Sequence, residues 1–150
     1  MSLQRHLTHL LCAALLACGA AAQAQSQPVT ADDSLYQALG AKPGLVQLME
    51  SFVERLKVDP RTAALFKEAN TTRLKAQLVD QVCQLSGGPC QYGGADMKTA
   101  HANLDIRKSD FNALVEDLEI SMQAQDIPFA AQRRLLALLA PMHRDAITVH

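Results

Sequence analysis

Neither sign of charge is in excess in this sequence of 150 residues, where 14 lysines and arginines stand against 15 aspartates and glutamates, for a net charge of −1. The composition therefore lacks the basic surplus with which proteins bind nucleic acid phosphates. The sequence also lacks a glycine-rich nucleotide loop, a second histidine at helical spacing for zinc, and a nucleophile motif. What remains is typical of one globular domain behind a leader.

No stretch of useful length alternates apolar and polar residues, and no segment repeats. Apolar residues recur instead at three- and four-residue steps, which is the period of a helix buried on one face. We therefore predict an all-α protein.

The first 24 residues have the layout of a secretory signal peptide. Arg5 is their only charged residue, residues 10–22 form an apolar run, and Ala22-Gln23-Ala24 offers the small-x-small pattern of a cleavage site. The run is too short to cross a membrane as a helix. Cys18 leaves open a lipid anchor in place of simple cleavage. In either case we predict export to the periplasm or the medium.

Only Cys83 and Cys90 lie beyond the leader, since Cys12 and Cys18 fall within it. An even pair in an oxidising compartment favours a disulfide. Gly87-Gly88-Pro89 between them can turn the chain back alongside itself. We therefore predict a Cys83–Cys90 bridge, with two free thiols as the alternative.

Turn and capping residues place the predicted helices along the chain. Residues 25–33 form a flexible lead-in, and the helices run from Ser34 to Leu39, from Pro43 to about Val58, from Asn70-Thr71-Thr72 to about Leu85, from about Asp96 to Asn103, from Ser109 or Asp110 onward, and from Pro128 onward. The residues expected on buried faces are Leu45, Val46, Leu48, Met49, Phe52, Val53 and Leu56; Leu74, Leu78, Val82 and Leu85; Phe111, Leu114, Val115, Leu118 and Met122; and Leu135, Leu136, Leu138, Leu139 and Met142. Gln77 and Gln81 are expected to point away from the stripe of their helix.

Short motifs in this order resemble those of the group I truncated haemoglobins. They are Ser34-Leu35-Tyr36-x-x-Leu39-Gly40, Asp59-Pro60 with Phe66 six residues later, Gly87-Gly88-Pro89-x-x-Tyr92, and Met97-Lys98-x-x-His101-x-x-x-x-Ile106 ahead of Phe111. The resemblance covers nearly all of the predicted domain, residues 34–150. It implies a two-over-two helical sandwich that holds one haem b per chain.

The resemblance implies that His101 binds the haem iron from the proximal side. Met97, Ala100 and His101 share one helical face, and a neutral imidazole is the usual iron ligand in oxygen carriers. His143 lies among charged neighbours, and His150 is the last residue. Taken without the resemblance, a lone histidine such as His101 is more often an ordinary core residue.

Further positions are implied as haem contacts, with ordinary core packing as the alternative. They are Phe66, Leu74, Leu78, Met97, Ile106, Phe111 and Leu114, with Lys98 as a candidate partner for a haem propionate. The implied distal pocket consists of Phe52, Val53, Leu74, Gln77 and Leu78. Tyr92 is expected to be structural, with its hydroxyl pinning the corner around it.

Two features depart from the family pattern. The family usually has tyrosine after the phenylalanine of the second helix, where its hydroxyl donates a hydrogen bond to the diatomic ligand, but here Phe52 precedes Val53. Valine has no donor, so Gln77 is the nearest candidate and Lys75 is expected to reach toward solvent. Asn103 and Asp105 stand where the family favours glycines, and they are residue types that tolerate left-handed backbone.

The predicted function is reversible binding of oxygen, carbon monoxide, nitric oxide or a similar ligand by an exported haem protein, served by an unidentified reductant. The alternatives are a haem enzyme that oxidises nitric oxide or acts as a peroxidase, and a helical interaction protein without cofactor. An enzyme needs polar groups where charge develops, and few are expected on this distal wall. The sequence has no Cys-x-x-Cys-His motif for covalent haem attachment.

Protein purified from an exporting host should lack the leader. Intact mass measurement should place the new terminus at Gln25 or, if the protein is lipidated, at Cys18. A mass that still includes Met1 in such a host would contradict export.

Overall fold

The computed structural model describes residues 32–149, and that part of the chain contains helices and no strand. The helices are α1 (Ser34–Ala38), α2 (Ala41–Val58), α3 (Ala63–Phe66), α4 (Thr71–Leu85), α5 (Met97–His101), α6 (Lys108–Ala124), α7 (Phe129–Leu139), the 3₁₀ turn Ala140–Met142, and α8 (His143–Ala146). The all-α prediction is confirmed. The predicted signal peptide and most of the lead-in lie outside the described residues. No described helix has the length and apolar character needed to cross a bilayer.

Helix α2 is the centre of the core. It packs against both α4 and α6, while α1 contacts α2 and α7, and α5 contacts α8. The α2 side chains that bury almost completely are Leu45, Leu48, Met49, Phe52, Val53 and Leu56. Each large apolar side chain removed from water in this way contributes about 1.5 to 3 kcal/mol before entropy is counted, so α2 makes a large contribution to the stability of the fold.

Two residues predicted to be buried are exposed. Val46 is 50% exposed on α2, and Leu138 is 37% exposed on α7. In α2 the buried positions follow three- and four-residue steps from Leu45, and Val46 lies about 100° around the helix from its neighbour. The surface of α2 that faces α4 and α6 does not extend that far, so the prediction for Val46 is wrong. The prediction for Leu138 is wrong as well.

The buried face of α4 is rotated from the predicted one: Val82 is buried as predicted, but Val79 and Cys83 are buried with it. Val79, Val82 and Cys83 belong to the core, whereas Leu74 and Leu78 are half-buried and only edge against it. The expected stripe was therefore displaced around the helix, because α4 packs on α2 with one side and presents the leucines beside that contact. Leu74 and Leu78 consequently remain available to another partner.

Side-chain hydrogen bonds stabilise the starts of α4 and α6. Asn70 caps α4 as predicted, its side-chain oxygen accepting from the backbone N–H of Arg73 at 3.0 Å. The predicted cap of α6 is wrong by two or three residues, because the helix begins at Lys108. Asp110 acts from inside the first turn, where its carboxylate accepts from the backbone N–H of Arg107 at 3.0 Å.

The corner after α4 is covalently closed. Cys83 and Cys90 form a disulfide with their Cα atoms 5.7 Å apart, as predicted. Gly88 lies against the Cys83 sulfur and the Tyr36 ring, and a Cβ at this position would approach both to 2.7 Å. Farther along, the Tyr92 hydroxyl donates to the carbonyl of Ala95 at 2.8 Å, which confirms its structural role. The corner therefore holds a fixed shape between α4 and α5.

Denatured, unreduced protein that has lost its leader should have no reactive thiol. The bridge closes a seven-residue separation, for which the chain-entropy estimate gives about 2 to 3 kcal/mol of stabilisation. The double variant Cys83→Ser, Cys90→Ser should lose a comparable amount in urea unfolding, and wild type treated with reductant serves as its control. Two titratable thiols per chain in unreduced wild type would contradict the bridge.

Candidate functional site

His101 ends the short helix α5, and its ring is oriented by a backbone contact. Asp96 caps this helix, its carboxylate accepting from the backbone N–H of Thr99 at 2.9 Å. One turn later, Nδ1 of His101 lies 2.7 Å from the carbonyl oxygen of Met97. A carbonyl can only accept, so Nδ1 carries the hydrogen and Nε2 of a neutral ring keeps a free lone pair. The half-buried ring could therefore bind a metal through Nε2.

The segment after His101 is held by the end of the described chain. Asn103 and Asp105 have positive φ angles of 62° and 51°, as predicted for positions where the family favours glycine. Ile106 is then fixed on both sides of its peptide: its N–H donates to the Thr148 hydroxyl at 2.8 Å, and its carbonyl accepts from the N–H groups of Thr148 and Val149 at 3.0 Å. The path from α5 to α6 is therefore defined by these contacts.

Helix α4 forms the wall that approaches α5. Gln81, 8% exposed, lies with its side-chain amide 3.5 Å from the sulfur atoms of Met97 and Met142. Gln81 was expected to point away from the stripe, and that prediction is wrong. It follows Leu74 by seven residues and Leu78 by three, which places all three on one face of the helix. That spacing was the signal in the sequence that could have identified Gln81.

The predicted distal residues separate into two groups. Phe52 and Val53 are buried in the core on α2, with Val53 fully inaccessible. Leu74, Gln77 and Leu78 are half-buried on α4, and Gln77 makes no side-chain hydrogen bond to another described residue. The α4 residues are therefore adjustable, whereas those of α2 are fixed by packing.

Lys75 does not reach toward solvent, contrary to expectation. Its ammonium lies 2.7 Å from a carboxylate oxygen of Glu50 and 2.8 Å from one of Glu54, and its side chain is only 19% exposed. Hydrogen bonds from Lys57 and from Lys75 lower the pKa of Glu54 to about 2, and the two glutamates raise the pKa of Lys75. Lys75 thus joins α4 to α2 and is not free to act as a ligand donor.

The remaining predicted contact residues differ in their exposure. Phe66, Met97, Phe111 and Leu114 are half-buried, Ile106 is buried, and Lys98 is exposed. The Phe111 ring meets the ring of His143 edge-on at 4.8 Å between centroids. His143 was predicted only to lie among charged residues, so its contact with Phe111 was missed.

The arrangement offers one nitrogen ligand beside apolar walls. Among the described residues there is no group of three or more histidine, cysteine, aspartate or glutamate side chains that could hold a metal ion. Within residues 32–149, His101 is thus the one predicted metal ligand.

Residues 34–148 match the family of bacterial-like globins. Among curated proteins, the chain is 28% identical over 115 residues to the Group 1 truncated hemoglobin GlbN of Mycolicibacterium paratuberculosis, covering 77% of this chain and 85% of that protein. It is also 28% identical over 94 residues to the Group 1 truncated hemoglobin GlbN of Nostoc commune, with 63% and 80% covered.

Solved structures show the same fold. The truncated hemoglobin of Tetrahymena pyriformis in its Fe(III) form superposes with a TM-score of 0.72 at 22% identity, covering 75% of this chain and 97% of that one. The 2/2 hemoglobin of a Synechococcus species, in the cyanomet state and with covalently attached heme, gives a TM-score of 0.70 at 20% identity with the same coverage. The two-over-two helical sandwich predicted from the sequence is confirmed.

Proposed function

Because the chain belongs to the bacterial-like globin family, we propose that it is an exported haem protein that reversibly binds oxygen or another diatomic ligand. The observation that carries this proposal is the contact between Nδ1 of His101 and the Met97 carbonyl. A backbone acceptor on the second nitrogen fixes the tautomer and ring orientation of a metal-binding histidine and raises its basicity. His101 is thereby assigned as the proximal ligand of haem b.

Four half-buried apolar side chains among the predicted contact residues suit a flat, largely apolar group. Phe66, Leu74, Leu78 and Leu114 touch the core from one side and are only partly buried. Covering their remaining apolar surface is favourable by roughly 25 cal/mol per Å², and a porphyrin offers the apolar area to do so. Exposed Lys98, on the helix of His101, is assigned to a propionate. Bound haem would supply an open coordination position for a small ligand.

The residues assigned to the distal pocket offer few strong hydrogen-bond donors to that ligand. Val53 is apolar and buried, Leu74 and Leu78 are apolar, and the Lys75 ammonium is already paired with two carboxylates. Among the described residues of this α4 face, the Gln81 amide lies against the sulfurs of Met97 and Met142, and Gln77 carries the uncommitted amide. Strong retention of oxygen requires a donor, and turnover requires polar groups placed where charge develops. The wall therefore favours reversible binding with fast release over an enzyme activity.

Export is supported by two features that do not depend on haem. The first 24 residues have the signal peptide layout, and the Cys83–Cys90 bridge is of the kind that persists in oxidising compartments. We place the protein in the periplasm or outside the cell, where a separate reductant would have to maintain the ferrous state.

The variant His101→Ala should lose normal haem ligation while it keeps its helical circular dichroism, because α5 contributes only five residues to the fold. The measurement is the absorption spectrum in the ferric, ferrous and ferrous carbon monoxide states. Added imidazole should restore the wild-type bands. His143→Ala is the matched control and should keep axial ligation. Unchanged spectra in His101→Ala without imidazole would show that the proximal assignment is wrong.

Oxygen release should be fast in wild type and slow when a donor is added. Val53→Tyr should slow it by several-fold or more where the ring can be accommodated, but Val53 is fully buried and overpacking costs about 1 to 3 kcal/mol. Leu78→Gln adds an amide at a half-buried position with little change of volume. A hydrogen bond to an acceptor with partial charge contributes about 1.5 to 3 kcal/mol, or roughly one to two decades in rate.

Stopped-flow measurement of oxygen and carbon monoxide dissociation tests this expectation. Carbon monoxide release should change less than oxygen release in both donor variants, because carbon monoxide depends less on a donor. Gln77→Leu measures the contribution of the one uncommitted amide. Slow oxygen release by wild type that Gln77→Leu does not accelerate would refute the description of the distal wall.

A further inference from the structure

A cavity lies between the start of α6 and the end of the described chain. It has a volume of about 730 Å³ and is lined by Arg107, Lys108, Ser109, His143, Arg144, Ile147 and Val149. That volume falls within the range of about 300 to 1,000 Å³ typical of small-molecule sites. None of the residues predicted to contact haem lines it, although His143 forms part of its wall. The lining of the cavity is thus distinct from the residues assigned to haem.

Three permanent positive charges face this cavity, and none is neutralised within residues 32–149. Arg107, Lys108 and Arg144 form no ion pair there, whereas Lys57, Arg61 and Lys75 each pair with a carboxylate elsewhere in the fold. The nearby carboxylate of Asp110 accepts from the backbone N–H of Arg107 and from the Ser109 hydroxyl. Like charges gathered around one concave surface attract an anion and repel one another without it.

Two aliphatic residues also line the cavity. Ile147 is 7% exposed and Val149 is 38% exposed, so aliphatic surface lies beside the cations. A simple inorganic anion would use the charges but leave this surface in water. We propose that the cavity binds a small organic anion with an apolar body, of the class of a medium-chain carboxylate. Arginine at such a site holds a carboxylate through two parallel hydrogen bonds.

Occupancy should be felt at Phe111, one of the residues assigned to haem contact. Its ring meets the ring of His143 edge-on, with 4.8 Å between the centroids. An anion beside His143 therefore perturbs Phe111 without touching it. This gives a readout inside the protein that loose binding to surface lysines would not produce.

Octanoate, acetate and octan-1-ol separate the two parts of the proposal, because acetate has the charge without the chain and octanol the chain without the charge. Each is titrated into the isotope-labelled protein and followed by nuclear magnetic resonance. Octanoate should saturate, shifting the amides of Lys108, Ser109 and Arg144 together with the ring signals of Phe111. Acetate and octanol should each bind at least several-fold more weakly. Equal binding of octanoate and octanol, or absence of saturation by octanoate, would overturn the proposal.

Charge-removing variants locate the site. Lys108→Gln and Arg144→Gln should each weaken octanoate binding by about threefold to tenfold, the range expected for one exposed charge-assisted contact. Arg133→Gln is the matched control, because Arg133 lies over the Phe129 ring on α7 and does not line the cavity. Equal affinity in wild type and both charge variants, or equal weakening in Arg133→Gln, would refute the assignment of the site.

Discussion

Helix α4 packs against α2 on one face and contacts α5 through Gln81 on another. The candidate site depends on these two contacts. Its Val79, Val82 and Cys83 are buried against the core around α2, and its Leu74 and Leu78 are left half-covered beside that contact. A rotation of α4 that buried the leucines would expose the valines at a cost of about 1.5 to 3 kcal/mol for each side chain. The ion pairs of Lys75 with Glu50 and Glu54, and the disulfide at Cys83, also favour this orientation of α4. The open apolar surface is therefore a consequence of the core.

The helices and their breaks could be predicted from the sequence because they depend on local chemistry. Asn70 caps α4, Gly40 has a positive φ of 82° before α2, and Asn103 and Asp105 adopt the left-handed conformation. Each of these outcomes is decided within a few residues by hydrogen-bonding capacity or steric freedom. The disulfide could be predicted for the same reason, because only a short turn separates its two cysteines.

The burial of individual side chains could not be predicted in the same way. Periodicity shows that a helix has an apolar face, but the width of the buried arc depends on the number of neighbours and their positions. Val46 lies outside that arc, and Gln81 lies inside a second arc that faces α5. Lys75 likewise finds its carboxylates on α2, more than twenty positions earlier in the chain. Such outcomes are set by tertiary packing, which the spacing of one helix does not contain.

The hydrogen bonds between Ile106 and Thr148 bear on the order in which the molecule assembles. They join residues separated by 42 positions, and contacts of that kind form only after the entropy of closing a long loop has been overcome. A helix as short as α5 is not stable alone in water, so it cannot preorganise the segment around His101. The pairing of α2 with α4 needs only the chain up to Leu85. We therefore expect α2 and α4 to pair before His101 reaches its final position. An apolar cofactor would then contact the leucines of α4 first and bind His101 afterwards.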